Sequence, residues 1–253
     1  MFEVCMPRGF AFILLITVIV IKPIALVAEE MKLSMLDWPP FTSVSLPDKG
    51  ISALVVKQAL NTIDIEPEFH HLPWNRAIRL VNSGKQVGYL PEYQYQSEQL
   101  IFSDPIGQSP IMLLFIKGKP ISWQTQHDLT QYTLGVNTGY INTKVIDDNI
   151  ASGKQRVELT STEYQSIQVL LAGRVDAIVI DKHVFEYLKS DPYVKQHIDK
   201  LQLDDKILEN KHLHIAFDNS AFGRLWRDKV NQGLANIDVQ AIVDEQLLRL
   251  KAN

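Results

Sequence analysis

The chain has 253 residues, of which 46% are hydrophobic and 21% charged, with 12 Gly, 12 Pro and a single Cys. This is globular composition with length enough for a substantial core, which excludes disordered, collagen-like and low-complexity scaffolds. A net charge of −4 without a block of Lys or Arg argues against nucleic acid as a partner. The only cysteine is Cys5, so the rest of the chain offers no disulfide, thiolate nucleophile or Cys-based metal site.

Phe10 to Ile21 is an apolar run of twelve residues interrupted only by Thr17, preceded by Arg8 and followed by Lys22-Pro23. Twelve is short for a membrane span and suits the core of a secretory signal peptide. Residues 1–28 are therefore read as the signal, with cleavage expected after Ala28 and export to the periplasm. The run taken together with Ile24 to Val27 is the alternative, an uncleaved anchor.

Met31, Leu33 and Met35 alternate with Lys32 and Ser34, which predicts a half-buried strand. Trp38-Pro39-Pro40-Phe41 is a turn, because two prolines forbid helix and central strand alike. Ile51, Leu54, Val55, Ala59 and Ile63 recur at helical spacing. Pro73 opens a second helix with Trp74, Ala77, Ile78 and Val81 on its buried stripe, and Gly84 ends it. A strand follows at Val87 to Leu90. Leu134-Gly135-Val136 predicts another strand, leading through Asn137-Thr138-Gly139 directly into a helix carrying Ile141, Val145, Ile146 and Ile150. Thr162 and Gln165 have capping-box spacing and open the next helix, and Val175 to Ile180 reads as a strand buried on both faces. A last strand (Leu213, Ile215, Phe217) leads into helices from Ser220 to Leu250.

Helix, Gly, basic residue, strand occurs twice, at Ser83-Gly84-Lys85 and Ala172-Gly173-Arg174. Alternating strands and helices imply parallel sheets, so the chain is read as α/β with two lobes. If Ile111–Ile116 and His212–Phe217 are the crossings between lobes, residues 29–113 plus 212–253 form a discontinuous first lobe and residues 114–211 the second. A cleft between lobes joined by two strands is then the expected ligand site.

The Trp-Pro-Pro-Phe turn, Pro73-Trp74-Asn75-Arg76-Ala77, Phe102-Ser103-Asp104-Pro105 and Gly173-Arg174-Val175-Asp176-Ala177, in this order, resemble the family 3 solute-binding proteins. These are the type II periplasmic binding proteins of amino-acid-type ABC uptake systems. The resemblance implies a clamshell that closes on a small polar solute and presents it to a membrane permease, acting as a monomer without a cofactor. It also implies an Arg six residues before the Phe of Phe-Ser-Asp, paired with the ligand carboxylate, but Gln96 stands there and carries no charge. The Thr expected after the loop glycine is replaced by Tyr140, which follows Gly139. Asp181 matches the Asp that binds the ligand ammonium, and the first-lobe serine pair corresponds to Gly88-Tyr89. The cation end of an amino-acid site is kept and the anion end is not, which favours a cationic, aromatic or peptide-like solute.

Each candidate also has a plain structural reading. Asp181 ends a buried strand, where open α/β sheets place ligands, and it could equally cap the helix from His183. Trp38 and Phe41 could stack on a ligand or pack between elements. Arg76 could reach the cleft and stand in for the missing carboxylate partner, or be a solvated charge. The Thr138-Gly139-Tyr140 segment, as a helix start, would offer free backbone N–H groups to an anion. Tyr89, Glu92 and Tyr93 lie where the first-lobe strand should reach the cleft. His212 and His214 share a strand face, but two ligands fall short of the three or four that zinc takes, and a solvated face is expected. No Gly-x-Ser-x-Gly elbow, Walker or dinucleotide glycine pattern is present. The enzyme alternative is a periplasmic lyase or dehydratase on the same fold with Glu92, Glu163 or Asp181 as general acid. A further alternative is a ligand-sensing partner of a membrane receptor.

Overall fold

A computed structural model of the chain describes residues 1–2 and 31–252, so the apolar run Phe10–Ile21 and the expected cleavage after Ala28 lie outside the described residues. Among the described residues no helix is long and apolar enough to cross a membrane.

In chain order the first elements are β1 (Met31–Met35), α1 (Ile51–Asn61), β2 (Pro67–His71), α2 (Trp74–Asn82), β3 (Gly88–Tyr93), β4 (Leu100–Phe102) and β5 (Gly107–Ile116). The middle of the chain forms β6 (Thr133–Asn137), α3 (Lys144–Ala151), β7 (Arg156–Thr160), α4 (Glu163–Leu171), β8 (Ala177–Asp181), α5 (Lys182–Leu188) and α6 (Pro192–His197). It returns through β9 (Leu201–Asp218) into α7 (Ala221–Leu234) and α8 (Val239–Ala252).

The strands bond in the order β2-β1-β3-β9-β5-β8-β6-β7, with β4 also paired to β9. Within each flank the pairing is parallel: β1 with β2 and β3, and β6 with β7 and β8. In the sheet the two flanks are joined through the antiparallel pair β5 and β9, which gives a two-lobed α/β clamshell with two crossing strands. The register of that pair shifts between Ile111 and Leu114, and the register of β3 on β9 shifts between Tyr89 and Glu92. Pro91 lies inside the second break, and a residue without an N–H cannot continue a ladder there.

Side-chain packing largely follows the same division, although Val184 of α5 joins the core of the first flank. One large apolar core joins Met31, Leu33 and Met35 of β1 to Val55, Val56 and Leu60 of α1 and to Trp226 and Val230 of α7. On the other flank Leu113, Leu134, Val136 and Ile146 form a second core, and Leu114, Ile167, Leu170 and Ile178 a third. Helices α1 and α7 touch at their backbones: a Cβ built on Gly233 would stand 2.4 Å from the Ala59 carbonyl oxygen. Only glycine permits that approach.

The crossing strands are longer than the apolar runs suggest. Ile111 to Ile116 pairs with residues 201–209, while His212 to Phe217 lies chiefly beside β3 and β4. The stretch from Gln202 to Lys211 is mostly polar and largely solvent-facing, so it carries no apolar alternation to betray it. The first helix of the second lobe also starts later than expected. It begins at Lys144, where Thr143 caps it by accepting a hydrogen bond from the Ile146 N–H at 3.3 Å. His214 corrects the solvated-face expectation: it is buried, its Nδ1 lies 2.7 Å from the Ser103 carbonyl oxygen, and burial holds its pKa below the ordinary value. His212 is exposed.

Candidate functional site

A narrow cleft with about 20 Å³ of free space lies between the flanks, and both contribute walls. Trp38 and Tyr93 come from the first flank. Asn137, Tyr140, Asn142, Glu163 and Asp181 come from the second, over an apolar floor of Ile111, Ile141, Val179 and Ile180.

The Trp38 turn is anchored by backbone bonds. Trp38 N–H donates to the Thr42 carbonyl at 2.7 Å, and Ile51 and Ser52 N–H groups donate to Pro40 and Phe41 at 3.0 and 2.9 Å. Gly50 makes this possible. Its φ is +100°, and a Cβ there would stand 2.6 Å from the Phe41 carbonyl oxygen. With the turn fixed, the Trp38 ring packs on Phe41 at 4.7 Å and edge-on to Tyr93 and Tyr140 at 6.1 Å each. Its Nε1 donates to Glu163 Oε1 at 2.8 Å, a bond that spans the two flanks. Glu163 is presented there by the first turn of α4, which Thr162 caps through the Gln165 N–H.

Asp181 terminates β8 and caps α5. Its Oδ1 accepts from the His183 and Val184 N–H groups at 2.6 and 2.8 Å, and its Oδ2 accepts from Ser109 Oγ at 2.5 Å. The Tyr93 hydroxyl lies 2.7 Å from the same Ser109 oxygen, so a chain of hydroxyls leads to the carboxylate. Burial pushes the Asp181 carboxyl up to about 7. The hydroxyl and the two amides oppose that rise, and the Glu163 charge adds to it. Burial likewise pushes the Tyr93 and Tyr140 hydroxyls up, Tyr93 against Asp181 and Tyr140 against Glu163.

Among the described residues lining the cleft none is Lys, Arg or His. Lys211 is not a lining residue but lies next to one, with its Nζ 5.0 Å from the Tyr93 ring centroid and 3.5 Å from Glu209. Asn137 is buried, and its carboxamide oxygen accepts from Thr160 and Ser166 hydroxyls at 2.8 and 2.9 Å.

Of the residues singled out from sequence, the structure brings Trp38, Tyr140 and Asp181 to this cleft, with Phe41 buried behind Trp38 and 6.2 Å from His183. Tyr89 is elsewhere. It is fully buried against Trp74, Ala77, Val81 and Ala216, and its hydroxyl lies beside Glu92 and Tyr95. It pairs with Ser34 on β1, so its alternation points it under α2 rather than into the cleft. Arg76 is exposed on α2 and Gln96 is exposed on the loop after β3, and neither lines the cleft.

Thr138 and Gly139 do not line it either, and they form no helix start. The Thr138 N–H donates to the Thr160 carbonyl and the Tyr140 N–H to the Asn137 carbonyl, at 2.8 and 3.2 Å, so those amides are already paired. The cleft adds Asn137 and Asn142, which carried no signal in the sequence because each sits at a strand end or loop whose direction depends on packing, while Ser109 on β5 backs the cleft through its bond to Asp181. A larger crevice of about 400 Å³ lies between α5 and α8, with Lys182, Glu186, Asp244 and Leu247 among its lining residues. It lacks a buried polar group like Asp181.

No protein-family model matches the chain, and no curated protein matches its sequence. Solved structures match its fold. The GluR0 ligand-binding core in complex with L-glutamate superposes with a TM-score of 0.70 at 19% identity, covering 88% of this chain and 99% of that one. The amino acid ABC transporter substrate-binding protein AbpA from Streptococcus pneumoniae, bound to L-arginine, gives 0.67 at 16% identity over 88% and 94%. A histidine kinase sensor domain with similarity to periplasmic binding proteins gives 0.67 at 15% over 88% and 94%. The fold is therefore the two-lobed fold of type II periplasmic binding proteins.

Proposed function

We propose that this chain is an exported solute-binding protein that captures a small polar solute between its lobes. The observation that carries the reading is the cleft itself, whose chemical groups are divided between the two flanks. A solute touching Trp38 and Tyr93 on one side and Tyr140 and Asp181 on the other stabilises the shut form over the open one. Only such a difference in affinity shifts the population. We take the lobes to be residues 29–113 with 212–253 and residues 114–211, moving about β5 and β9.

In this reading residues 1–28 direct export to the periplasm, and the loaded, closed protein delivers its solute to the permease of an ABC-type uptake system. The fold shared with a substrate-binding protein supports transport. The fold shared with a kinase sensor domain supports a second use, in which the closed form signals through a membrane receptor. A thermal-shift screen against amino acids, amines, short peptides, sugars and organic acids tests the reading. Ligand at ~100 times its dissociation constant adds about 2.7 kcal/mol of stability, which is readily seen. A flat response across the whole screen would overturn it.

A further inference from the structure

We propose that the cleft selects an organic amine that carries no acid group, such as the amide or the decarboxylated form of an amino acid. Glu163 then puts a second carboxylate in the same cleft as Asp181. The inference rests on the reading of this cleft as the solute site and names the class of solute it takes.

Two carboxylates, Asp181 and Glu163, face one small space walled by Trp38, Tyr93 and Tyr140. Aromatic faces and carboxylates both favour a cation, and together they bind one without a counter-anion from the ligand. A ligand acid group would find no matching charge. Arg76 and Gln96 are exposed outside the cleft, the amides of Thr138 and Tyr140 are paired within the chain, and Lys211 is engaged by Glu209 and Tyr93. A carboxylate entering this space would also lie close to Glu163 and Asp181, and like charges at short range in a partly desolvated site repel strongly.

The neutral end of the ligand has a partner too. Asn137 is only 6% exposed and lines the cleft. Its oxygen is taken by Thr160 and Ser166, while its NH2 group makes no hydrogen bond within the chain. That group can donate to a ligand acceptor such as an amide or hydroxyl oxygen.

The test uses the purified protein and matched ligand sets differing only at the acid group: tyrosine, tyrosinamide and tyramine; arginine, argininamide and agmatine; lysine, lysinamide and cadaverine. Titration calorimetry is expected to show the amide or the amine of at least one set binding tenfold or more tighter than its amino acid. Glu163→Gln should narrow that ratio by relieving the repulsion, while Asp181→Asn should weaken every cation at least tenfold. An amino acid binding as tightly as its amide and amine overturns the inference and leaves the solute-binding reading standing. So does silence from all nine compounds alongside a hit from sugars or organic acids. Silence from every class overturns both.

Discussion

Asp181 accepts two backbone hydrogen bonds and one hydroxyl, and burial still pushes its carboxyl up to about 7. A carboxyl whose folded pKa stands above its unfolded value holds its proton more tightly when folded. Its contribution to stability is therefore greatest when protonated, and it is lost as pH climbs from about 4 through about 7. Asp181→Asn keeps a good helix cap and removes this titration. In urea unfolding at pH 5 and pH 8 the variant should lose about 2 kcal/mol less across the interval than the parent. Glu92, which burial also pushes up to about 7, leaves a residual slope of the same sign in both proteins. Cation binding runs the other way: it favours the ionised form, so affinity should rise with pH across neutrality, with proton release measurable by calorimetry in buffers of different ionisation heat. Asp181 was legible as a residue at the end of a buried strand. Its hydroxyl chain to Tyr93 was not, because Ser109 lies 72 positions away and only the pairing of β5 with β8 brings it near.

Helix ends were read from sequence wherever the cap is local. Thr162 caps α4, and Gly84 and Gly173, both marked in the sequence, follow α2 and α4 with positive φ. The α3 start was misplaced because Gly139 looked like the entry, while the capping oxygen belongs to Thr143 and the intervening loop is held by Asp147 accepting from Asn142. With that shift the Thr138 and Tyr140 amides are paired within the chain and not free at a helix start. The contact of α1 with α7 gives a sharper test. Gly233→Ala improves intrinsic helix propensity by about 1 kcal/mol, but its Cβ would sit 2.4 Å from a backbone oxygen that cannot move without dragging α1. Overpacking of this kind costs about 1–3 kcal/mol, so the net effect should be destabilising, seen as a lower urea midpoint with an unchanged slope.

Across the whole molecule the two flanks are tied on the cleft side by the Trp38–Glu163 hydrogen bond and the Trp38–Tyr140 contact. A hydrogen bond to a charged acceptor contributes about 1.5–3 kcal/mol, enough to shift an open–shut balance by tenfold or more. Trp38→Phe keeps an aromatic ring on Phe41 and removes the N–H. In solution scattering the ligand-free variant should have a larger radius of gyration than the parent, and a bound ligand should bring the two together. An unchanged radius would mean that the bond does not hold the lobes shut.

Local rules fixed the α/β class, the turn at Trp38, most helix caps and the strand ending in Asp181, because each depends on neighbours within a few positions. The position of Tyr89 under α2, the burial of His214, the long polar reach of β9 and the meeting of Glu163 with Trp38 came only from the folded chain. Each depends on which elements meet across tens to more than a hundred residues, and a strand's alternation says which residues share a face but not what that face will meet.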